Sequence, residues 1–364
     1  MSARPEIPPE EETATLERLE GIITDGGGEG RKPDGTAVEL LDERLEQAAI
    51  ASRQVAYNCR LSRAVDKLEE ERLLKEKKIL YQFSARGHEL GQVLLGQLLD
   101  HRHDAASGYY RSRPFMLSLG LALEDAIAGP MMRSGSFSDG RDIGVVYNMP
   151  GHEAATVLPM SGGVGAQYTP VAGWAQSILY HRDTLQDESW RGALAVALGG
   201  DASVATNGFW SALTIATTLQ LPMLFFIEDN GYGISVTSDM QTPGRNIAAN
   251  LESFSGLAIF DGDGTEARDA ANAIASAIGQ IRAGGGPALV RLTVPRLCGH
   301  SGQDTQAYKS EEQIAAERAR DPLPKLRRFL VPNSLTATEW RDLENRANAD
   351  VEGALESALA RPLP

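Results

Sequence analysis

The chain has 364 residues, of which 42% are hydrophobic and 23% charged, with a formal net charge of -14. These proportions are typical of a globular protein with a sizeable core, and the negative charge argues against nucleic-acid or anionic-membrane partners. Cys59 and Cys298 lie too far apart to predict a disulfide framework or a metal-binding spacing. No apolar run reaches the roughly 18 residues of a membrane span, and the acid-rich start has no signal core. We therefore expect a cytoplasmic protein.

The chain divides into four predicted segments. Residues 1–36 are rich in proline, glycine and acidic residues, which predicts a flexible tail. Residues 37–85 show helical spacing of apolar residues and are expected to form an N-terminal helical arm. Residues 86–310 are expected to form one α/β domain. Residues 311–364 predict a C-terminal helical segment, interrupted near Pro322.

In the central segment, short apolar runs alternate with helical patterns. Several of these runs are apolar almost continuously, as in strands that are covered on both faces of a parallel sheet. The alternation predicts an α/β fold with a doubly wound, mostly parallel sheet and helices on both faces. Strands are predicted at residues 143–147, 193–198, 223–227, 257–260 and 288–294, with helices near 207–220 and 265–283.

Two oxygen-bearing side chains follow two successive strands of this pattern. Asp201 comes directly after one predicted strand and Asn230 after the next, 29 positions later, which is close to one βαβ unit of roughly 30 residues. A right-handed crossover brings the carboxyl ends of both strands to the same sheet edge. Such oxygens suit Mg²⁺, and the turn around Asn230 can present the Tyr232 carbonyl as a third ligand. Each feature alone is common in α/β proteins, and it is the combination that predicts a site.

The Gly-Asp pair followed by Asn230 resembles the thiamine-diphosphate signature, in which GDG precedes a pair of asparagines. The order of motifs over residues 45–330 is similar to the alpha subunit of the decarboxylating component of 2-oxo acid dehydrogenases. This group includes the pyruvate, branched-chain and acetoin enzymes. The resemblance implies that thiamine diphosphate and Mg²⁺ are the cofactors. It also implies oxidative decarboxylation of a 2-oxo acid with acyl transfer to lipoamide.

The resemblance assigns roles to residues along the chain. An arginine after a tyrosine would meet the cofactor diphosphate, which fits the charge-assisted contact of guanidinium with phosphate. A glycine-rich stretch at 161–167 would face the aminopyrimidine ring. A histidine before a serine would assist the substrate and acyl-transfer steps, which suits a side chain that titrates near neutrality. The implied cofactor-binding residues are Tyr110, Arg111, Gly162, Val164, Asp201, Ala202, Ser203, Asn230, Tyr232 and His300, with His300 catalytic and Asp201, Asn230 and Tyr232 binding the metal.

The sequence departs from the family pattern at three places. Ala202 replaces the third glycine of GDG, which would cost on the order of 1 kcal/mol if that residue has positive φ. Asp229 stands before Asn230, where asparagine is usual. The pattern at 140–144 is also altered, so the sequence does not identify the 2-oxo acid.

Four other residues have two interpretations each. His88 and His152 are secondary active-site candidates, and they suit capping or surface positions at least as well. Cys298 lies two residues before His300, and a packed thiol is favoured over a reactive one. Ser301 occupies the position that is phosphorylated in animal relatives, but nothing in the sequence indicates that regulation here.

The resemblance also implies partners. A separate beta subunit would supply the glutamate that contacts the cofactor ring, in an assembly of two alpha and two beta chains. The acyl group would pass to a lipoyl-bearing acyltransferase. Two alternatives stay open: a degenerate scaffold subunit of the same family, and an NAD-binding oxidoreductase. The second lacks a G-x-G-x-x-G motif after a strand.

Overall fold

The protein is described by a computed structural model that covers residues 35–141, 147–149 and 155–364, with residues 35–50 given as helical backbone. Within these residues, six parallel strands form one sheet, and two very short strands form a separate hairpin. The sheet contains β1 (Ala105–Ser107), β2 (Thr156–Val157), β3 (Ala195–Gly200), β4 (Met223–Asp229), β7 (Ala258–Asp263) and β8 (Ala288–Thr293), in the order β2-β1-β3-β4-β8-β7; the hairpin joins β5 (Tyr232–Gly233) to β6 (Val236–Thr237).

The helices begin where local chemistry favours a start. Thr206 caps one helix by accepting a hydrogen bond from the Phe209 N–H, and Pro322 occupies the first turn of another. No described helix is long and apolar enough to cross a membrane. The α-helices are α1 (Gly35–Leu68), α2 (Glu89–Leu98), α3 (Arg113–Ser118), α4 (Leu123–Ala128), α5 (Tyr168–Leu179), α6 (Asn207–Leu219), α7 (Ile247–Leu251), α8 (Ala267–Arg282), α9 (Glu311–Ala319), α10 (Pro322–Leu330) and α11 (Ala337–Ala360).

Two hydrophobic cores lie on opposite faces of the sheet. Because side chains alternate along a strand, Leu224 and Phe226 of β4 point into one core, together with α1, α2, α8 and α11. Phe225 and Ile227 of the same strand point into the other core, together with α5, α6 and α7. This arrangement confirms the predicted doubly wound, parallel α/β fold.

The predicted strands near 195, 223, 258 and 288 are confirmed, and the helices near 207 and 267 are present. β1 and β2 were not predicted. The strand predicted at 143–147 lies outside the described residues except for Tyr147, which is not in a strand, and the predicted tail lies almost wholly outside them.

The N-terminal arm is fixed to the sheet domain by a buried ion cluster. Helix α1 continues into a π-helical turn at Glu69–Leu73. Arg113 of α3 donates to Asp66 over 3.1 Å and to Glu69 over 2.7 Å, and all three side chains are buried. Burial raises the pKa of Asp66 to about 7, although Arg113 opposes the shift. Asp66 also accepts the Ala85 N–H over 3.0 Å, which ties the arm to the segment before α2.

The register of the sheet determines where the predicted site lies. In the parallel pair of β3 and β4, Gly200 is opposite Glu228. Asp201 and Asn230 therefore leave the sheet from neighbouring strands at the same edge, at their carboxyl ends, where open α/β sheets bind ligands.

Candidate functional site

Asp201 is a buried carboxylate that lacks a full set of partners. Its side chain is 4% exposed, and its Oδ2 atom has no hydrogen-bond partner among the described residues. Burial raises its pKa to about 7, and the neighbouring Asp229 adds to the shift. A buried carboxylate oxygen without a donor is costly unless something positive joins it. Asp201 is thus suited to bind a cation.

The side chain of Asn230 has a partner at both ends of its carboxamide. The Tyr232 N–H donates to Asn230 Oδ1 over 3.1 Å. At the other end of the carboxamide, Asn230 Nδ2 lies 3.1 Å from Nε2 of His88. His88 is buried and stands at the N-cap position of α2, but its side chain makes no capping bond. Both alternative interpretations of His88, as a cap or as a surface group, are therefore wrong. His152 lies outside the described residues.

The two acidic residues before Asn230 have partners of their own. Asp229 accepts from Arg291 Nε over 2.7 Å, and this arginine also binds Asp261. Glu228 is fully buried and accepts hydrogen bonds from Gln92 over 2.7 Å and from the Tyr109 hydroxyl over 3.0 Å. Burial raises the pKa of Glu228 to about 8. Arg291 therefore neutralises the aspartate that replaces the usual asparagine, and Asn230 as a metal ligand stays a prediction.

The turn after β3 shows how the altered GDG triplet is accommodated. Ala202 lies in a 3₁₀ turn at Asp201–Ala205, and its φ is not positive. The backbone penalty considered for an alanine at this position therefore does not arise. The Ser203 hydroxyl points inward, where it bonds the Gly200 carbonyl over 2.6 Å and lies 2.5 Å from the Tyr168 hydroxyl. Because its hydroxyl is engaged in these contacts, Ser203 would contact a cofactor through its backbone.

The glycine-rich stretch at 161–167 packs directly on the start of α6. Gly165 has φ +84°, and a Cβ there would lie 2.1 Å from Thr206 Oγ1. Gln167 donates to the Leu198 carbonyl over 2.8 Å, which ties the stretch to the end of β3. Val164, in contrast, is 60% exposed, and a Cβ on Gly162 would meet no atom within 4 Å. The stretch thus presents an open, partly apolar surface beside the strand ends.

His300 lies in an aromatic and cationic cluster. Its ring contacts the edges of Phe83 and Tyr110, with ring centroids 5.7 and 5.5 Å apart. Arg111 is fully buried and donates to the backbone carbonyls of His300, over 3.0 Å, and of Ser84. The sequence placed Arg111 at a diphosphate. The structure places it where it holds the loop that carries His300, and a diphosphate contact stays a prediction.

Two buried arginines, Arg111 and Arg296, act on the titratable side chains of this site. Burial, together with Arg111 and Arg296, lowers the pKa of His300 to about 4, so the expected titration near neutrality is not found in the cofactor-free protein. Burial and the same two arginines lower the pKa of His88 well below its usual value. Arg296 also acts on Asp201, whose pKa it lowers. Two buried arginines next to neutral histidines give the site local positive charge in a protein of net charge -14.

Cys298 is a packed thiol in this loop. Its Sγ lies 3.8 Å from the Ser84 carbonyl, and burial raises its pKa. Because the thiolate is the reactive form, the structure agrees with the interpretation of an unreactive cysteine.

The residues present fit Mg²⁺ and a diphosphate. Asp201 offers a carboxylate oxygen without a donor, and Asn230 offers an amide oxygen with one lone pair left after the Tyr232 N–H. Within the described part of the chain, no group of three His, Cys, Asp or Glu side chains forms a metal site. A site with one carboxylate and neutral oxygens suits Mg²⁺, which usually completes its shell with phosphate oxygens and water.

Residues 58–364 match the family described as the dehydrogenase E1 component. The chain belongs to this family. Among its relatives are proteins named pyruvate dehydrogenase E1 component subunit alpha. The Porphyra purpurea protein is 25% identical over 76% of this chain and 79% of its own length. The Staphylococcus aureus protein is 26% identical over 89% of this chain and 78% of its own length. A Zymomonas mobilis relative is 27% identical over 76% of this chain and 75% of its own length.

The family match confirms the resemblance found in the sequence: the chain is an alpha subunit of a 2-oxo acid dehydrogenase E1 component. The family depends on thiamine diphosphate, with Mg²⁺ as its usual metal. Sequence reasoning missed Arg291 and Gln92 and gave His88 only a secondary place. The one available signal was the Gly-His-Glu sequence at the start of α2, which places a histidine at the N-cap position of that helix.

Proposed function

We propose that this chain, with Mg²⁺ and a separate beta subunit, carries out the oxidative decarboxylation of a 2-oxo acid and passes the acyl group to lipoamide. The observation that carries the proposal is the buried, partnerless oxygen of Asp201 next to Asn230 at the carboxyl edge of the sheet. A buried carboxylate oxygen without a donor would suit a cation, at the place where the family motif predicts one.

The metal would be held by Asp201, Asn230 and the Tyr232 carbonyl, with diphosphate oxygens as further ligands. When bound, thiamine diphosphate supplies the carbanion that attacks the 2-oxo acid and the electron sink for loss of CO₂. The backbone at Ala202 and Ser203 would approach the diphosphate, and Arg111 and Tyr110 would line its other side.

The remaining side chains would orient the cofactor and move protons. The exposed Val164 and the open backbone at Gly162 would support the aminopyrimidine ring. His300 is neutral at physiological pH because its pKa is about 4. Its neutral ring can accept a hydrogen bond at one nitrogen and donate one from the other, and a proton taken up at the free nitrogen during acyl transfer would be given back readily because the pKa is low.

Partner and substrate follow from the family. The glutamate that the cofactor ring needs would come from a beta subunit, in an assembly of two alpha and two beta chains, and the acyl acceptor would be a lipoyl-bearing acyltransferase. The relatives are named for pyruvate, so pyruvate is the first substrate to test and branched-chain 2-oxo acids are the second. Family membership leaves the NAD-binding alternative without support.

The test is reconstitution of the chain with its beta subunit. Decarboxylation is followed with an artificial electron acceptor and acyl transfer with lipoamide, for pyruvate and for branched-chain 2-oxo acids. We expect activity that requires both thiamine diphosphate and Mg²⁺. Asp201→Ala should abolish it, and Asp342→Asn on the exposed face of α11 should not. A complex that binds the cofactor but turns over none of these substrates would support the scaffold alternative instead.

A further inference from the structure

The carboxamide of Asn230 is fixed at both of its ends. An N–H group can only donate, so the atom that faces the Tyr232 N–H at 3.1 Å has to be the carboxamide oxygen. The amino end therefore faces His88, whose Nε2 lies 3.1 Å away. The Tyr232 contact thus determines the orientation of the side chain, and the His88 contact is compatible with it.

Because the amino group of Asn230 can only donate, Nε2 of His88 has to act as the acceptor. This requires the tautomer that carries its proton on the buried Nδ1, and a hydrogen bond between His88 and the Arg86 backbone favours a protonated nitrogen on that side of the ring. His88 is held firmly in place. Gly87 before it has φ +100° and packs so closely that a Cβ would lie 2.0 Å from the Pro295 carbonyl.

We propose that His88 is a positioning residue for the metal ligand Asn230, and that its Nε2 acceptor keeps the carboxamide oxygen directed at the cation. The proposal rests on the proposed function, since it needs Asn230 to bind Mg²⁺. His88 touches no reacting atom in this account and acts through Asn230.

The physical reason lies in the symmetry of the carboxamide. The last torsion of asparagine is broad and roughly two-fold, so the oxygen and the amino group exchange places easily unless hydrogen bonds prevent it. A flipped side chain would present its amino hydrogens to the cation and lose the ligand. Groups that orient metal ligands typically change metal affinity by about 10- to 100-fold when they are removed.

The test compares two replacements in the full chain purified with its beta subunit. His88→Leu keeps approximate volume and removes the acceptor, whereas His88→Gln places an amide oxygen near the position of Nε2. Mg²⁺ is titrated by calorimetry at saturating thiamine diphosphate. We expect His88→Leu to weaken Mg²⁺ binding at least about 10-fold and His88→Gln to stay within about 3-fold of the unmodified protein.

A purely structural role would give a different pattern. Both variants would then unfold at a lower temperature than the unmodified protein when free of cofactor. The glutamine variant would also bind Mg²⁺ as poorly as the leucine variant. Equal weakening in both, or none in either, overturns the role of His88. Absence of Mg²⁺-dependent binding in the unmodified protein overturns the proposed function itself, which is a distinguishable result.

A second measurement reads the tautomer of His88 in the unmodified protein. The ¹⁵N spectrum of the histidine side chains in the unmodified protein reports the tautomer of each ring, and His88→Gln identifies the His88 signals by their loss. We expect an unprotonated Nε2 and a protonated Nδ1 at position 88. A ring with its proton on Nε2 cannot accept from Asn230 and would overturn the proposal.

Discussion

Asp201 should destabilise the cofactor-free protein at neutral pH, and Asp201→Asn should relieve that cost. The side chain is 4% exposed, and burial followed by the charge of Asp229 raises its pKa from 3.8 to about 7. A pKa difference of about 3 units between the folded and unfolded states corresponds to about 4 kcal/mol, at about 1.4 kcal/mol per unit. The amino group of the introduced asparagine has no partner of its own. Its burial offsets about 1 kcal/mol or more of the gain in the free energy of unfolding.

The sign of the pH dependence follows from proton binding. Between pH 4 and pH 7 the folded protein holds a proton on Asp201 that the unfolded chain has released. The contribution of this group to the free energy of unfolding therefore falls as the pH rises through that window, and it levels off above pH 7. Asn has no such dependence. The free energy of unfolding of Asp201→Asn, relative to that of the unmodified protein, should therefore rise by about 1.4 kcal/mol per pH unit from pH 5 toward pH 7.

The assay is urea unfolding of the cofactor-free protein at pH 5, 6, 7 and 8. Asp342→Asn makes the same chemical change on an exposed face of α11 and serves as the control. Saturating Mg²⁺ and thiamine diphosphate should stabilise the unmodified protein and leave Asp201→Asn unchanged. If the difference between Asp201→Asn and the unmodified protein is constant from pH 5 to pH 8, the buried titrating carboxylate is refuted.

Three further changes test the surroundings of the site. Arg111→Lys should lower the free energy of unfolding by about 1–3 kcal/mol in urea, because lysine leaves a buried carbonyl without a donor; an unchanged midpoint would contradict this. His300→Ala should leave Mg²⁺-dependent cofactor binding within about 3-fold and reduce lipoamide acylation by about 100-fold or more, and equal activity would exclude the role. Gly165→Ala should cost about 2 kcal/mol or more by forcing a Cβ against Thr206, whereas Gly163→Ala, with no atom closer than 3.5 Å, should cost under about 1 kcal/mol.

The meeting of the proposed metal ligands was predictable because their geometry is local in the fold. Asp201 and Asn230 belong to one βαβ unit, so the sequence distance and the handedness of the crossover determine that they meet. Strand ends were predicted less well. β3 continues through Gly199 and Gly200, which have no strand preference of their own and are held in the ladder by pairing with β4.

The missed strands have a physical explanation. β1 consists of Ala105, Ala106 and Ser107, which are small and neither β-branched nor aromatic. It is a strand because it lies between β2 and β3 in the sheet, with both faces buried. Sheet pairing, not local preference, determines it.

The partners of the site residues were beyond prediction because they come from distant parts of the chain. His88 meets Asn230 across 142 positions, and Arg291 meets Asp229 across 62. The second contact depends on β8 lying next to β4, an order that the sequence does not reveal. For the same reason the carbonyl contacts of the buried Arg111 could not be foreseen.

Titration of thiamine diphosphate by calorimetry, with and without Mg²⁺, tests the central claim most directly. The protein is measured alone and with its beta subunit, alongside Asp201→Ala. The account predicts binding that requires Mg²⁺, tightens with the beta subunit and is lost in Asp201→Ala. Binding that is absent in both settings, or of equal affinity in Asp201→Ala, would contradict the assignment of this sheet edge as the cofactor site.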